Sequence, residues 1–387
     1  MGFARVESAL PLHELTSQLP DKTDVFVIGG GPAGLAVAIA AASKGLSVCV
    51  AEGARPPIDK ACGEGIMPDG LAALTSLGIS LDDVPMAPFY GIRFVDTAGE
   101  VSANFRDGVG FGVRRTELHS LLVKKAEEAG VTLLWGTRVD ATGKHSVHIG
   151  ECATRARYVI YANGQISNLH ALPEFQISKV VRRRYGFRDH YAMRPWSPYV
   201  EVHWADCGQV YVTPVSENQV CVAYITSNSH ERLSDVLCNF PEIERRLSGL
   251  APISRTAGSV TTTRRLRAVC NESMALAGDA SGSADAITGD GLSMSFRQAK
   301  VLAECIAAGD LQPYQNEHRR ISRLPCAMGE LMLIMHDRPW LRHKVFRAFS
   351  KNSKIFEMML AMHTGTISPV QFGLRNSLEF GWSILTA

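Results

Sequence analysis

Nine cysteines are present, yet no two form a CxxC pair and no His/Cys/Asp group has ligand spacing. No metal is therefore expected, and the scatter fits reduced thiols in a cytoplasmic setting better than a disulfide frame. No stretch approaches the ~18 uncharged apolar residues of a membrane-spanning helix. The first 22 residues lack a basic start followed by an apolar core, so no signal peptide is expected. An excess of one charge is missing too: 40 Lys and Arg face 38 Asp and Glu, a net of +2. With no long basic run, a nucleic-acid surface is not expected. Internal repeats and low-complexity linkers are also absent. What remains is a chain of 387 residues, 46% apolar, long enough for about two domains.

The chain is organised around residues 24–52, DVFVIGGGPAGLAVAIAAASKGLSVCVAE. Residues 25–28 are a continuous apolar run, the pattern of a strand buried on both faces. Gly29, Gly31 and Gly34 give GxGxxG, with Pro32 and Ala33 between the last two. An alanine-rich helix follows, then a strand over residues 46–51 that ends in Glu52. Each position has a task in holding a dinucleotide. Gly29 makes the tight turn, Gly31 lets a pyrophosphate approach the backbone, and Gly34 lets helix and strand touch. The helix start offers free N–H groups to phosphates. Glu52 can accept hydrogen bonds from the adenosine ribose.

Residues 1–21 read as a short arm. Pro68 opens a helix that Gly78 closes. Residues 90–95 and 101–105 flank DTAG as a hairpin, and residues 115–129 form an amphipathic helix. Residues 131–135 return to the sheet, and residues 137–160 read as a small meander. From 181 to about 265 the apolar period becomes two, with strands at 199–204, 209–215, 219–226 and 256–263, as in an antiparallel sheet. Short helices interrupt it near 231–248. Residues 273–277 are a buried strand again, so the first domain is discontinuous. From about 311 the chain is mostly helical.

Gly278 and Asp279 follow that last strand and precede a helix rich in small residues. An acid there either holds a ribityl hydroxyl, with the next helix aimed at a flavin ring edge, or N-caps an ordinary helix. Paired with the first motif, the flavin reading is preferred, and the cofactor is FAD. GGGPAG, an RTELHSLL helix, NGQISNLH and GDASGSADAITGDGL occur in that order. Over residues 22–325 the chain resembles the superfamily of FAD-dependent aromatic hydroxylases, geranylgeranyl reductases and flavin-dependent halogenases. The resemblance implies an α/β fold. A Rossmann-like FAD-binding domain, mostly parallel, would span 22–85, 109–180 and 266–325. An antiparallel substrate-binding sheet would span 86–108 and 181–265, and a helical region 326–387. It carries Gly29, Gly31, Gly34 and Glu52 to the adenosine side and Arg115 to an FAD contact. Gly278 and Asp279 become the ribityl contact. Gly289 and Gly291, with Leu292, become the turn beside the isoalloxazine.

The departures bear on function. In place of the hydroxylases' DGxxSxxR stand Asn163, Gly164, Ser167 and His170, which puts direct reduction by NAD(P)H in question against a separate reductase. Ala286 stands where proline is usual, and the halogenase WxWxIP is absent. Lys60, Cys62, Gly63 and Gly65 are similar to the KxCGxG loop of the geranylgeranyl reductase branch, whose cysteine lies near flavin and substrate. Cys62 is thus a candidate catalytic residue, or a small buried thiol. Glu64 is a candidate proton donor if desolvated, although an exposed loop acid is the plainer expectation. Tyr211 and Thr213 share a strand face, toward the substrate or in ordinary packing. Leu341, Val345 and Phe349 lie on one helical face beside a basic stripe of Lys344, Arg347, Lys351 and Lys354. That helix either covers the substrate cleft or docks on an anionic membrane or acidic carrier. The expected function is a flavin monooxygenase acting on a hydrophobic, aromatic or carrier-bound molecule. The alternatives are a geranylgeranyl-reductase-like C=C reductase and a flavoprotein that matures a polypeptide partner.

Overall fold

The computed structural model describes residues 18–164, 175–373 and 380–382. Most of the N-terminal arm, together with Ser167 and His170, lies outside them. β1 (Lys22–Ile28) is central to a seven-stranded sheet. Beside it runs β2 (Val48–Glu52) in parallel, Val25 opposite Val48 and Val27 opposite Val50. β1 leads through the glycine turn into the helix α1 (Pro32–Ala42). This stretch is buried on every side: Val25, Phe26, Val27, Leu35, Ala36, Val37 and Ala38 are fully enclosed. Alanines on α1 leave room for a second helix, and the helix over residues 291–308 packs there.

Gly29 takes φ +115°, and a Cβ on it would sit 2.6 Å from the Ala162 carbonyl carbon. A Cβ on Gly34 would lie 1.9 Å from the Gly29 oxygen. Both glycines are forced by close backbone approach.

β3 (Gly65–Ile66), β4 (Met86–Phe89) and β7 (Gly110–Val113) form a small three-stranded sheet, and α2 (Pro68–Ser76) follows β3. β5 (Gly91–Asp96) and β6 (Gly99–Asn104) are the hairpin around DTAG. α3 (Arg115–Glu128) buries Leu118, Leu121, Leu122 and Ala126 against the first sheet, as their spacing predicts. That sheet continues with β8 (Thr132–Trp135), β9 (Ala141–Thr142), β10 (Ser146–Ile149) and β11 (Cys152–Tyr161). Its order is β8-β2-β1-β11-β10-β9. β11 inserts next to β1, in parallel.

β12 (Ile177–Ala192), β13 (Val200–Ala205), β14 (Gly208–Ser216), β15 (Gln219–Thr226) and β16 (Ala257–Leu266) join the hairpin in the second large sheet, ordered β16-β12-β15-β14-β13-β5-β6. It is antiparallel except where β13 meets β5. The period of two is read out directly. Val210 and Val212 pack under the short helices α4 (Leu233–Val236) and α5 (Pro241–Leu247), while Tyr211 and Thr213 face the opposite side.

β17 (Met274–Leu276) returns to β11 in the first sheet. Then come α6 (Gly291–Ala308), α7 (Gln312–Asp337), α8 (Pro339–Lys351) and α9 (Ser353–His363). α8 and α9 dock on the hairpin through Phe94, which lies 6.1 Å from Phe346 and 4.9 Å from Phe356 between ring centroids. Arg342 bonds the buried Asp96 carboxylate beneath them. The basic stripe is not continuous. Asn352 leaves helical geometry at φ −143°, ψ 86°, so Lys354 belongs to α9 and not to the helix carrying Lys344, Arg347 and Lys351. Among the described residues no helix is long and apolar enough to cross a membrane.

Candidate functional site

A cavity of about 1230 Å³ opens where the C-terminal ends of the parallel strands meet the antiparallel sheet and the C-terminal helices. Gly31, Pro32, Ala33, Glu52, Arg115, Asp279, Gly289, Gly291 and Leu292 all line it. Gly29, Gly34 and Gly278 shape the turns behind it. The two glycine motifs touch: a Cβ on Gly278 would lie 2.6 Å from the Ala33 Cβ. Residues more than 240 positions apart thus form one wall.

The residues present fit FAD. A Cβ on Gly31, Gly289 or Gly291 would meet no atom within 4 Å, so backbone faces open space at all three. The first turn of α1 points its free N–H groups there. Glu52 accepts the N–H groups of Gly30 and Ala54, both at 2.9 Å, one on each oxygen, leaving lone pairs for ribose hydroxyls. Arg115 Nε and Asn163 Oδ1 are buried without partners, as groups awaiting a polar ligand would be. Asp279 is held 3.2 Å from Lys60 Nζ, while Arg264 donates to its carbonyl at 2.6 Å.

Glu64 is not an exposed loop acid. It is 2% exposed and takes φ +59°, alone among the described non-glycine residues. The burial comes from β12, which packs over the loop. One Glu64 oxygen accepts the Arg115 N–H at 2.9 Å, and the other lies 2.7 Å from His190 Nε2. His190 Nδ1 is 2.9 Å from an Arg188 nitrogen and 3.0 Å from Ser254 Oγ. A guanidinium can only donate, so Nδ1 accepts and Nε2 carries the proton toward Glu64. Glu64 is therefore committed as an acceptor. Arg188 in turn bonds Asp59. Cys62 is half-buried beside the cavity, its sulfur 3.4 Å from the Glu64 N–H. Tyr211 donates to the Ile287 carbonyl at 2.7 Å, and burial pushes its phenol well up. It clamps the turn below the cavity and is a poor acid.

Among the described residues, spacing conceals two groups of metal-capable atoms: Glu64, His190 and Cys221, and Glu201, His203 and Glu242, each within 4.8 Å. Arg188 stands beside the first and Arg93 beside the second, positive charges that oppose a cation.

The turn over residues 285–291 is braced from two directions. Asp285 accepts the Ile287 N–H at 3.0 Å and pairs with the fully buried Arg184 at 3.1 Å. Asp290, before α6, lies 3.2 Å from His363 Nε2 at the end of α9, and both are close to Asp69 of α2. Sequence reasoning missed this cluster, because its members sit on three separated helical ends. Burial, then the Asp290 carboxylate, push the Asp69 carboxyl up to about 6. The folded state therefore holds this proton more tightly than the unfolded chain. The stability Asp69 contributes is present below about pH 4 and lost as pH rises through about 6. Asp69→Asn is expected to raise stability at pH 7.5 by about 2–3 kcal/mol and to leave it nearly unchanged at pH 4. Urea melts at the two pH values check this.

Residues 22–183 match the family of FAD binding domains. A menaquinone reductase of Mycobacterium tuberculosis is 26% identical, over 75% of this chain and 78% of its own length. Digeranylgeranylglycerophospholipid reductase 1 of Methanopyrus kandleri is 27% identical, over 73% of this chain and 79% of its own. In structure, a flavoprotein/dehydrogenase from Cytophaga hutchinsonii overlays with a TM-score of 0.79 at 18% identity, covering 94% and 98% of the two chains. The halogenase PltM overlays at 0.71 and 13%, covering 93% and 85%. Those two likenesses speak to the fold. With the paired glycine motifs and the fit of the cavity, the chain carries an FAD binding domain over residues 22–183 and is an FAD-dependent oxidoreductase, similar in sequence to these two reductases.

Proposed function

We propose that the protein is a reductase that saturates C=C bonds in a long apolar chain of the isoprenoid type. One observation carries this: every cavity-lining residue that α7, α8 and α9 contribute is apolar except His363. Met328, Met332, Met335, Phe349, Phe356 and Met359 are among them. Flexible methionines and flat rings suit a long, bendable hydrocarbon. Each methylene buried there contributes about 0.8 kcal/mol without any directional bond. The apolar face of α8, Leu341, Val345 and Phe349, covers this end of the cavity, the plainer of the two expectations for that helix. The curated relatives reported above, both named reductases, add support.

The α1 start with Gly31 would hold the pyrophosphate, and Glu52 the adenosine ribose. Arg115 and Asp279 would flank the ribityl chain, and Gly289, Gly291 and Leu292 the ring. FAD supplies two-electron redox chemistry when bound. The chain's own residues exclude water, align the hydrocarbon and manage protons. Electrons come from NAD(P)H or a separate reductase.

Monooxygenation is the second reading. The apolar wall favours it as well, because a hydroxylase must keep water from its oxidant. Oxygen separates the two. Holoenzyme reduced with dithionite in a glove box, with a geranylgeranyl lipid or menaquinone as substrate, is expected to give a product heavier by two hydrogens. Product that forms only after oxygen is admitted, and is heavier by one oxygen, would replace the reductase by a hydroxylase.

A further inference from the structure

Saturating a C=C bond takes a hydride on one carbon and a proton on the other. The reduced cofactor provides the first; the second needs an acid at the cavity wall. Glu64, the proton donor foreseen in the sequence, accepts from two donors, and the Tyr211 hydroxyl is spent on the Ile287 carbonyl. His363 is the polar exception on the wall formed by the C-terminal helices.

We propose that His363 is the acid that protonates the substrate, with Asp290 and Asp69 as its positioning carboxylates; this rests on the reductase reading above. His363 is 10% exposed at its side chain and Asp290 3%, and Nε2 lies 3.2 Å from Asp290 Oδ1. Three atoms of this one cluster are buried without a well-formed hydrogen bond: His363 Nδ1, Asp290 Oδ2 and Asp69 Oδ1, with only the Thr288 backbone near the imidazole and the Gly70 backbone near Asp69. So many orphaned polar atoms side by side are unusual in a packed interior. They suit a site that trades protons with what enters the cavity.

Charge decides the resting form. Burial works to lower the His363 pKa, yet Asp290 and then Asp69 carry it above its ordinary value, and the Thr288 backbone adds to this. Arg297, 4.0 Å from Asp69, offsets part of the negative charge. On the α7 side the Cys326 thiol is pushed up by burial and stays neutral. In the imidazolium, Nε2–H faces Asp290, and Nδ1–H has no well-formed partner beyond the nearby Thr288 backbone. Two C–H bonds would form, while the π bond, the hydride-donating bond of the reduced cofactor and the His363 N–H bond would break. The hydride comes from reduced flavin, and His363 is left neutral beside Asp290 until solvent returns the proton.

The first arm of the test does not depend on turnover. In holoenzyme labelled with 15N-histidine, the imidazole signal missing from His363→Gln identifies His363. Its midpoint is expected above that of an ordinary histidine, and Asp290→Asn is expected to weaken its proton affinity about tenfold or more. A midpoint at or below the ordinary value overturns the proposal. The second arm follows saturated product under the anaerobic conditions above. The wild-type rate is expected to fall as pH rises through the His363 midpoint. His363→Gln is expected to lose about 100-fold with a flat profile, in the usual range for general acid catalysis, while FAD affinity changes less than threefold. Asp290→Asn is expected to move the falling limb to lower pH, which serves if His363→Gln fails to fold. A loss under tenfold with the limb unmoved overturns the donor role. No product from wild type at any pH overturns the reductase reading and the donor role with it, a result distinct from the others.

Discussion

Gly31→Val is expected to yield a folded protein that purifies colourless. A Cβ at Gly31 meets no protein atom within 4 Å and the backbone there is extended, at φ −74° and ψ 175°, so the side chain enters the open space above the α1 start. That space is where a pyrophosphate must come within hydrogen-bond reach of the backbone. Blocking it is expected to weaken FAD binding by at least 100-fold, about 3 kcal/mol. The melting temperature without FAD should stay near that of the wild-type apoprotein, and the rise on adding FAD should vanish. Gly34→Ala is the opposite case. Its Cβ would fall 1.9 Å from the Gly29 oxygen, so α1 must move off the turn and the apoprotein itself loses stability. Absorbance near 450 nm after gel filtration, read beside thermal melts of both variants, separates the two effects. If Gly31→Val retained flavin at wild-type stoichiometry, the cavity would not be the cofactor site.

The contrast shows which features are legible along the chain. The β1–glycine–α1–β2–Glu52 unit can be read because its contacts are nearly all local: the turn, the helix start and the acid lie within 31 residues. The alternation of Tyr211 and Thr213 with Val210 and Val212 is legible for the same reason, since the period of a strand fixes its two faces. Glu64 was not legible. Its burial is imposed by His190 and Arg188, on a strand 126 and 124 positions later, and its left-handed backbone has no glycine to announce it. The cluster of Asp69, Asp290 and His363 is hidden likewise, because it exists only where α2, α6 and α9 meet. The break at Asn352 escaped the three- and four-residue spacing of the lysines, which is blind to a single non-helical residue.

Arg184→Ala is expected to be among the most damaging single changes outside the glycines. The Arg184 side chain is fully buried and the Asp285 side chain 1% exposed. Arg184 also bonds Gln209 and, at 3.3 Å, the Ile225 carbonyl, tying β12, β14 and β15 to the turn. Gln209 reaches on to His336 Nδ1 at 2.8 Å, linking α7 to the same network. Taking away the guanidinium leaves a buried carboxylate without its paired charge, the more distant Arg182 offsetting only part of it. The cost of such a deletion is about 3–5 kcal/mol, and the melting temperature should drop by roughly 10 °C. The Ile287 N–H depends on Asp285, and Tyr211 depends on the Ile287 carbonyl, so the turn should also loosen and FAD affinity fall. Removing both charges tests the reasoning. Arg184→Met with Asp285→Asn keeps an acceptor for Ile287 and leaves no buried ion, so it should recover at least half of the lost stability. If the double variant were no more stable than Arg184→Ala, the damage would come from lost packing of the long side chain and not from a stranded charge.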